Sequence, residues 1–145
     1  MPRQTWALTQ EDVTFLIDFS IQIAGQLGVA VAVAVVDAGG AMLGLLRMDN
    51  AKFASSAVSE RKAWTSSLFQ RPSSDYSAST APGGAAFGLQ NAFPGQFVPM
   101  PGGRPILIGS ACVGGIGVSG ASGEQDDTIA QAAVAAFAGR ANAAS

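Results

Sequence analysis

The fold is decided by the stretch VAVAVAVVDAGG, Val29 to Gly40. Its first eight residues, Val29 to Val36, are all Val or Ala, and such small or β-branched residues suit a strand buried on both faces. Asp and Gly tolerate the positive φ of a tight turn, so residues 37–40 predict a hairpin turn. Met42 to Met48 then returns as the second strand of an antiparallel pair.

A helix is predicted on either side of this hairpin. Before it, Thr9 to Asp12 resembles a capping box, apolar residues recur at helical spacing, and Gly28 is placed to end the helix. After it, Phe53 to Phe69 is predicted to be helical. The residues expected to form its buried stripe are Phe53, Ala57, Trp64 and Leu68.

The rest of the chain predicts a long irregular segment, a second hairpin and a last helix. Pro72 to Arg104 is dense in glycine and proline and shows no sustained period; a segment of this kind is functional or disordered, and we expect a lid or pocket wall. Strands follow at Pro105 to Ile108 and Cys112 to Val118, and residues 119–123 form a turn into the last helix. Two antiparallel pairs with helices between them indicate a single α+β domain over residues 1–145.

Composition excludes several classes of function. A net charge of −2 argues against a nucleic-acid surface, and one cysteine excludes an internal disulfide framework. The chain has no histidine, which removes the commonest general base and metal ligand, so we expect no metal site. The longest apolar run has the length of a strand, and the first residues lack an apolar signal core. We therefore expect a cytoplasmic protein without a membrane span.

The low charge content indicates self-association. Charged residues make up 12% of the chain, against about 25% in typical soluble domains. A small domain has much surface to cover, so part of that surface is expected to lie between subunits of a homo-oligomer. The alternative is a monomer whose surface consists of Ser, Gly, Ala and Gln.

Five short motifs carry a resemblance to a known family. In chain order they are Val35-Val36-Asp37-Ala38-Gly39-Gly40, Arg47-Met48-Asp49, Lys62-Ala63-Trp64-Thr65, Pro101-Gly102-Gly103-Arg104-Pro105-Ile106, and Gly114 to Ala121 followed by Gln125-Asp126. Together they resemble the heme-degrading-domain family of GlcG/HbpS-like proteins. The resemblance implies a profilin-like fold, a five-stranded antiparallel sheet flanked by helices, and assembly into oligomers. It also implies roles that range from heme binding, heme breakdown or redox sensing to catabolism of small organic molecules, and one branch is fused to cobalamin adenosyltransferases.

The candidate site residues lie mostly in these motifs, and each has a structural alternative. Arg47 can hold a carboxylate or phenolate while Asp49 orients it or moves a proton, or the two can form an ion pair or a helix cap. Lys62 can hold an anion or act as a base, or can be a solvated charge paired with Glu60 or Asp49. The glycine-rich segments can present main-chain N–H groups to an anion, or serve as turns and tight packing. We assign catalysis to Asp49, Glu60 and Lys62, and substrate binding to Arg47, Thr65, Pro101, Gly102, Gly103, Arg104, Gly117 and Ser119.

The expected function is proton-transfer chemistry on a small anionic organic molecule. An isomerase, tautomerase or lyase without a cofactor fits the available side chains, with Arg47 and Lys62 holding negative charge. The first alternative is a non-catalytic protein that binds heme, a corrinoid or a metabolite. Heme is disfavoured because the chain offers no imidazole ligand. The second alternative is an assembly protein whose glycines serve packing alone.

Overall fold

The element order in this computed structural model, which describes residues 1–144, is helix, hairpin, helix, irregular segment, hairpin, helix, as predicted. Two short 3-10 helices, Ser73–Tyr76 and Leu89–Ala92, interrupt the irregular segment. The long elements are α1 Gln10–Leu27, β1 Ala32–Asp37, β2 Met42–Arg47, α2 Ser55–Phe69, β3 Gly103–Ile108, β4 Ala111–Ser119 and α3 Gly123–Ala144.

The sheet has four antiparallel strands in the order β2-β1-β4-β3. The expectation of five strands, which came from the family resemblance, is therefore wrong for the described residues. Between α2 and β3 the chain forms turns and 3-10 helices. Its glycines and prolines are a poor fit to a strand, since proline has no N–H for a ladder bond.

The aliphatic core lies on one face of the sheet. Val31, Val33 and Val35 are completely buried there and pack with α1 and α3. The start of α1 is fixed by Thr9 and Asp12, whose side chains and backbone N–H groups form both bonds of the predicted capping box. The hairpin that decides the fold thus supplies the central strand of the core.

Helix α2 covers the other face, and its predicted buried stripe is wrong. Phe53 lies before the helix and is 83% exposed, and Leu68 is 40% exposed. The buried side is instead small and polar and comprises Ser55, Ser59, Lys62, Ala63, Thr65, Ser66 and Ser67. Two interior glycines of β4 explain the difference, because they let the helix backbone rest directly on the strand.

The approach of α2 to β4 is measured by the glycines themselves. A Cβ on Gly117 would lie 1.9 Å from the carbonyl oxygen of Ser59, and a Cβ on Gly115 would lie 2.3 Å from that of Ala63. Of the two alternatives that the sequence leaves open for these glycines, the contacts with α2 agree with tight packing. Large apolar side chains on this side of α2 would have no room.

The irregular segment packs against α2 through a cluster of aromatic rings. Phe69, Tyr76, Phe93 and Phe97 make edge-to-face contacts with ring centroids 5.0 to 5.8 Å apart. Val98 is tied to α2 by a 2.9 Å hydrogen bond from its N–H to the Thr65 hydroxyl. This packing leads the chain into the Pro-Gly-Gly segment beside α2.

Candidate functional site

The candidate site is built on Lys62, a residue on the buried side of α2 with 2% of its surface exposed. Its Nζ donates to the carbonyl oxygen of Val118 at 2.9 Å and to Oδ2 of Asp126 at 3.2 Å. A lysine ammonium has three N–H donors. Among the described residues these two acceptors account for two of the three.

Asp126 is the partner that the sequence did not assign to the site. It lies in the first turn of α3 and is 3% exposed. Its Oδ1 accepts the N–H of Ala121 at 3.0 Å while Oδ2 pairs with Lys62. The carboxylate therefore ties α2 to the turn before α3, in addition to the interaction with the helix dipole expected from its position.

The Pro-Gly-Gly segment closes over this ion pair. Gly102 has φ +122°, and a Cβ there would lie 2.5 Å from the Val118 carbonyl oxygen and 2.9 Å from Lys62 Nζ. Gly103 donates its N–H to the Ser73 hydroxyl at 2.9 Å. The N–H of Gly103 is thus used inside the protein, and the glycines serve here to bring the backbone close to Lys62.

Lys62 and Asp126 lie at the base of a cavity of about 190 Å³. Lys52 lies at its exposed side, and the first residue of α3, Gly123, also lines it. The positive end of the α3 dipole and two ammonium groups therefore outweigh the single carboxylate in this lining. The remaining lining residues are Ala54, Ser55, Val58, Met100, Pro101, Ser119, Gly120 and Ala121.

The cavity brings together some of the residues assigned from the sequence and leaves out others. Lys62, Pro101 and Ser119 line it, with Gly102 and Gly103 in contact with Lys62 behind it. Asp49 and Glu60 are exposed and do not belong to its lining.

Arg47, Thr65 and Gly117 have structural contacts elsewhere. The Arg47 guanidinium is stacked 4.7 Å above the ring centroid of Phe53, an arrangement typical of a cation–π contact. The Thr65 hydroxyl donates to the Arg61 carbonyl at 2.8 Å and accepts from Val98. Gly117 lies under the α2 backbone, as described above, so these three do not form a clamp around the Lys62 cavity.

Arg104 points to the opposite side of β3. Its guanidinium makes a two-point contact with the Asp127 carboxylate, at 2.8 and 2.6 Å, and these hydrogen bonds raise the pKa of Arg104 above its ordinary value although partial burial lowers it. The arginine lines a groove of about 570 Å³ between β3 and α3. Because Arg104 lies on the other side of β3 and is paired with Asp127, it is not placed to hold a substrate in the Lys62 cavity.

Within residues 1–144, no group of three or more His, Cys, Asp or Glu side chains is arranged to hold a metal ion. None of the helices in that range has the length and apolar character needed to span a membrane.

Comparison with known proteins agrees with this fold. A family model described as haem degrading protein HbpS-like matches residues 8–135. The corrinoid adenosyltransferase PduO of Salmonella typhimurium is 37% identical over 131 residues, which are 90% of this chain and 39% of that protein. The chain therefore spans well under half of that curated relative.

Two solved structures match over nearly their whole length. Klebsiella pneumoniae protein ORFY is 30% identical with a TM-score of 0.90, and the match covers 94% of each chain. The structure of a PduOC:heme complex is 37% identical with a TM-score of 0.86, covering 90% of this chain and 95% of that one. The likeness thus extends over the sheet and all three long helices described above.

Proposed function

The chain belongs to the HbpS-like family, and from that premise we propose that it binds a small organic anion in the Lys62 cavity. The observation that carries the proposal is the buried ammonium at the base of a positively charged cavity. A buried charge is costly unless it is paired and hydrogen-bonded. Asp126 and Val118 stabilise the ammonium, and the third N–H would donate to an anionic oxygen of the ligand.

The size of the cavity limits the ligand. Its volume of about 190 Å³ lies below the roughly 300–1,000 Å³ of sites for drug-sized molecules. A carboxylic acid of a few carbon atoms matches this volume. In the bound state the carboxylate of this acid would face Lys62 and the N-terminus of α3. The rest of the acid would contact the side of the cavity that Ser119 lines.

Proton transfer on this anion is the finer proposal. The ionisable side chains that line the cavity are Lys52, Lys62 and Asp126. The Asp126 carboxylate can take a proton from the carbon next to the substrate carbonyl while the Lys62 ammonium donates one to the developing enolate oxygen. The reverse transfers, with the proton delivered to a different carbon, return both groups to their starting charge. An isomerase, tautomerase or lyase reaction would therefore depend on Lys62 and Asp126, with Asp49 and Glu60 outside the cavity.

The test is a thermal-shift and calorimetric screen of small hydroxy, keto and aromatic acids. We expect at least one acid to bind, and Lys52→Met to weaken binding because it removes an ammonium from the cavity. Asp126→Asn should strengthen binding, because the Lys62 charge is then no longer balanced by a carboxylate. Arg71→Met removes an exposed positive charge that does not line the cavity and is the matched control.

The outcomes separate binding from catalysis. The proposal fails if no acid binds at millimolar concentration, or if affinity is the same in Lys52→Met and Asp126→Asn as in the unaltered protein. Exchange of solvent deuterium into the bound acid, lost in Asp126→Asn, would support proton transfer. Binding without exchange would leave a metabolite-binding protein.

Heme binding is the second candidate, because the similar PduOC forms a heme complex. Heme iron needs an axial ligand, and the chain has no histidine. Met100 lines the small Lys62 cavity. Met48 Sδ accepts a hydrogen bond from the Val31 N–H, and Cys112 Sγ donates one to the Gly114 carbonyl oxygen. In the part of the chain that the structure describes, no Met, Cys, Tyr or Lys lines the two larger grooves, of about 570 and 590 Å³.

These contacts favour the small anion over heme as the ligand. Titration with hemin decides the matter: a sharp Soret shift with a defined stoichiometry would favour heme over the small anion. The corrinoid alternative rests on the PduO relative, of which this chain spans 39%. The same titration with a cobalamin, followed by its visible spectrum, tests it.

A further inference from the structure

Two serine hydroxyls that line the Lys62 cavity have no hydrogen-bond partner among the described residues. Ser55, the first residue of α2, is 3% exposed, and Ser119, the last residue of β4, is 9% exposed. Every other buried serine or threonine of residues 1–144 donates its hydroxyl to a carbonyl oxygen of the chain. These other residues are Ser20, Ser59, Thr65, Ser66, Ser67, Ser73 and Thr80. The two exceptions therefore lie together, in the lining of one cavity.

The oxygens of these two hydroxyls border the cavity. In the part of the chain that the structure describes, every polar side-chain atom that is fully enclosed has a hydrogen-bond partner. Because the Ser55 and Ser119 hydroxyls have none, their oxygens are not enclosed, and the open space that both residues line is the Lys62 cavity. A Cβ on Gly120 would lie 3.3 Å from the Ser55 Oγ. That oxygen therefore lies beside Gly120, which also lines the cavity.

Neither serine caps a helix, which is the usual structural role of a serine near a helix start. Helix α2 has Ala54 at its N-cap position and no hydrogen bond from a capping side chain. At the start of α3 the N–H of Gln125 donates to the Ser122 hydroxyl at 3.1 Å. The capping residue of α3 is therefore Ser122, and the hydroxyls of Ser55 and Ser119 are available to a ligand.

The two serines lie on the same face of the sheet as the Lys62 ammonium. Gly117 of β4 lies against the α2 backbone, and residues two apart in a strand share a face. The Ser119 side chain therefore points toward α2, which carries Ser55 and Lys62 on its buried side. The carbonyl oxygen of Val118, next to Ser119 in the strand, accepts the hydrogen bond from Lys62 Nζ at 2.9 Å. Two hydroxyls and one ammonium thus border the same small cavity.

We propose that the ligand of this cavity is a short hydroxy acid, whose hydroxyl group is bound by Ser55 and Ser119 while its carboxylate faces Lys62. This inference rests on the anion site proposed above and specifies which class of anion that site takes. A hydroxyl group both donates and accepts hydrogen bonds, so the hydroxyl of the ligand accepts from one serine and donates to the other. An acid without this group leaves both serine hydroxyls unpaired, and a site built to bind a hydroxyl discriminates against such an analogue. Ser55 and Ser119 are therefore the residues that determine specificity.

The test is calorimetric binding of acids that differ only in the hydroxyl group. The probes are propanoate, 2-hydroxypropanoate and 3-hydroxypropanoate. We expect at least one of the two hydroxy acids to bind about tenfold or more tightly than propanoate, as two neutral hydrogen bonds typically provide. Ser55→Ala and Ser119→Ala should each weaken binding of that hydroxy acid by about fivefold and change propanoate affinity by less than about twofold. A purely structural role of the serines would shift the affinities for all three acids alike.

Ser56→Ala is the matched control, because Ser56 is the next residue of α2 and does not line the cavity. It should leave the affinities for all three acids unchanged, and circular dichroism of each variant monitors folding. Equal affinity for the three acids, or an unchanged hydroxy-acid affinity in either Ser55→Ala or Ser119→Ala, would overturn this inference and leave the anion site standing. Binding only of acids that lack a hydroxyl group would do the same. If no acid of the broader screen binds, the anion site itself fails, and this inference fails with it.

Discussion

Replacing Gly117 by alanine tests the account of how α2 is seated. A Cβ at this position would lie 1.9 Å from the Ser59 carbonyl oxygen and 2.6 Å from the Ala63 nitrogen. Both neighbours are backbone atoms, so no side chain can rotate away. Real Cβ contacts are essentially never under 3.0 Å, which means that the helix must retreat by about 1.1 Å, the difference between 3.0 and 1.9 Å.

The expected cost follows from this forced movement. Overpacking a close-packed interior by one methyl group typically costs about 1–3 kcal/mol, and two backbone neighbours place Gly117→Ala near the upper end of that range. At a change of roughly 3 °C per kcal/mol for a domain of this size, the melting temperature should fall by about 6–9 °C. The retreat also separates Lys62 from Asp126, so affinity for an anion should change with stability.

The assay is urea unfolding followed by circular dichroism, with Gly25→Ala as the matched control. Gly25 lies near the end of α1, and a Cβ there would meet nothing within 4 Å. Alanine in a helix should stabilise the protein by about 0.5–1 kcal/mol relative to glycine. An unaltered midpoint in Gly117→Ala would refute the argument that the strand glycines allow α2 to approach β4.

Three further changes test the ion pairs and the cap by the same unfolding assay. Lys62→Met should destabilise the protein by about 3–5 kcal/mol because it leaves the Asp126 carboxylate buried and unpaired, and adding Asp126→Leu should recover much of that loss; no recovery would contradict the role of the unpaired charge. Thr9→Ala should cost about 1 kcal/mol through loss of the capping box, and a neutral result would argue against the cap. Asp127→Asn should cost well under 1 kcal/mol because its pair with Arg104 is partly exposed, with 1 M salt reducing the effect; a large, salt-independent loss would show a different role.

Sequence predicted most of the elements because their signals are local. The alternation in residues 29–36, the capping box at Thr9 and the turn at residues 37–40 each depend on neighbouring residues, and the structure contains all three features. The bounds of β3 and β4 differ from prediction by one or two residues. Such differences are usual where an element ends.

The face of α2 was mispredicted because its packing partner is distant in sequence. Helical periodicity favoured the largest apolar residues for the buried side. That preference assumes a partner surface made of side chains, whereas β4 presents the backbone at Gly115 and Gly117. Both glycines are visible in the sequence. That their strand lies against α2, however, depends on the tertiary fold.

Three of the residues that the sequence assigns to a site, Lys62, Pro101 and Ser119, line one cavity. That this cavity binds a substrate stays a prediction. Asp126 is 64 residues from Lys62, and its position at the start of a helix gave it an ordinary explanation. A buried lysine needs a counter-charge, and that requirement, applied to the last helix, is the signal that could have identified Asp126.

The small, polar buried face of α2 has a consequence for how the protein opens. Its serines, threonine and single alanine offer little apolar surface, while α1 and α3 cover a core of valine, leucine, isoleucine and phenylalanine. Stability in a folded protein varies between such units. We expect amide hydrogen exchange in α2 to proceed through a partial opening of lower free energy than the exchange of β1. Because α2 carries Lys62, that opening would also admit a ligand to the cavity, with the rest of the molecule still folded.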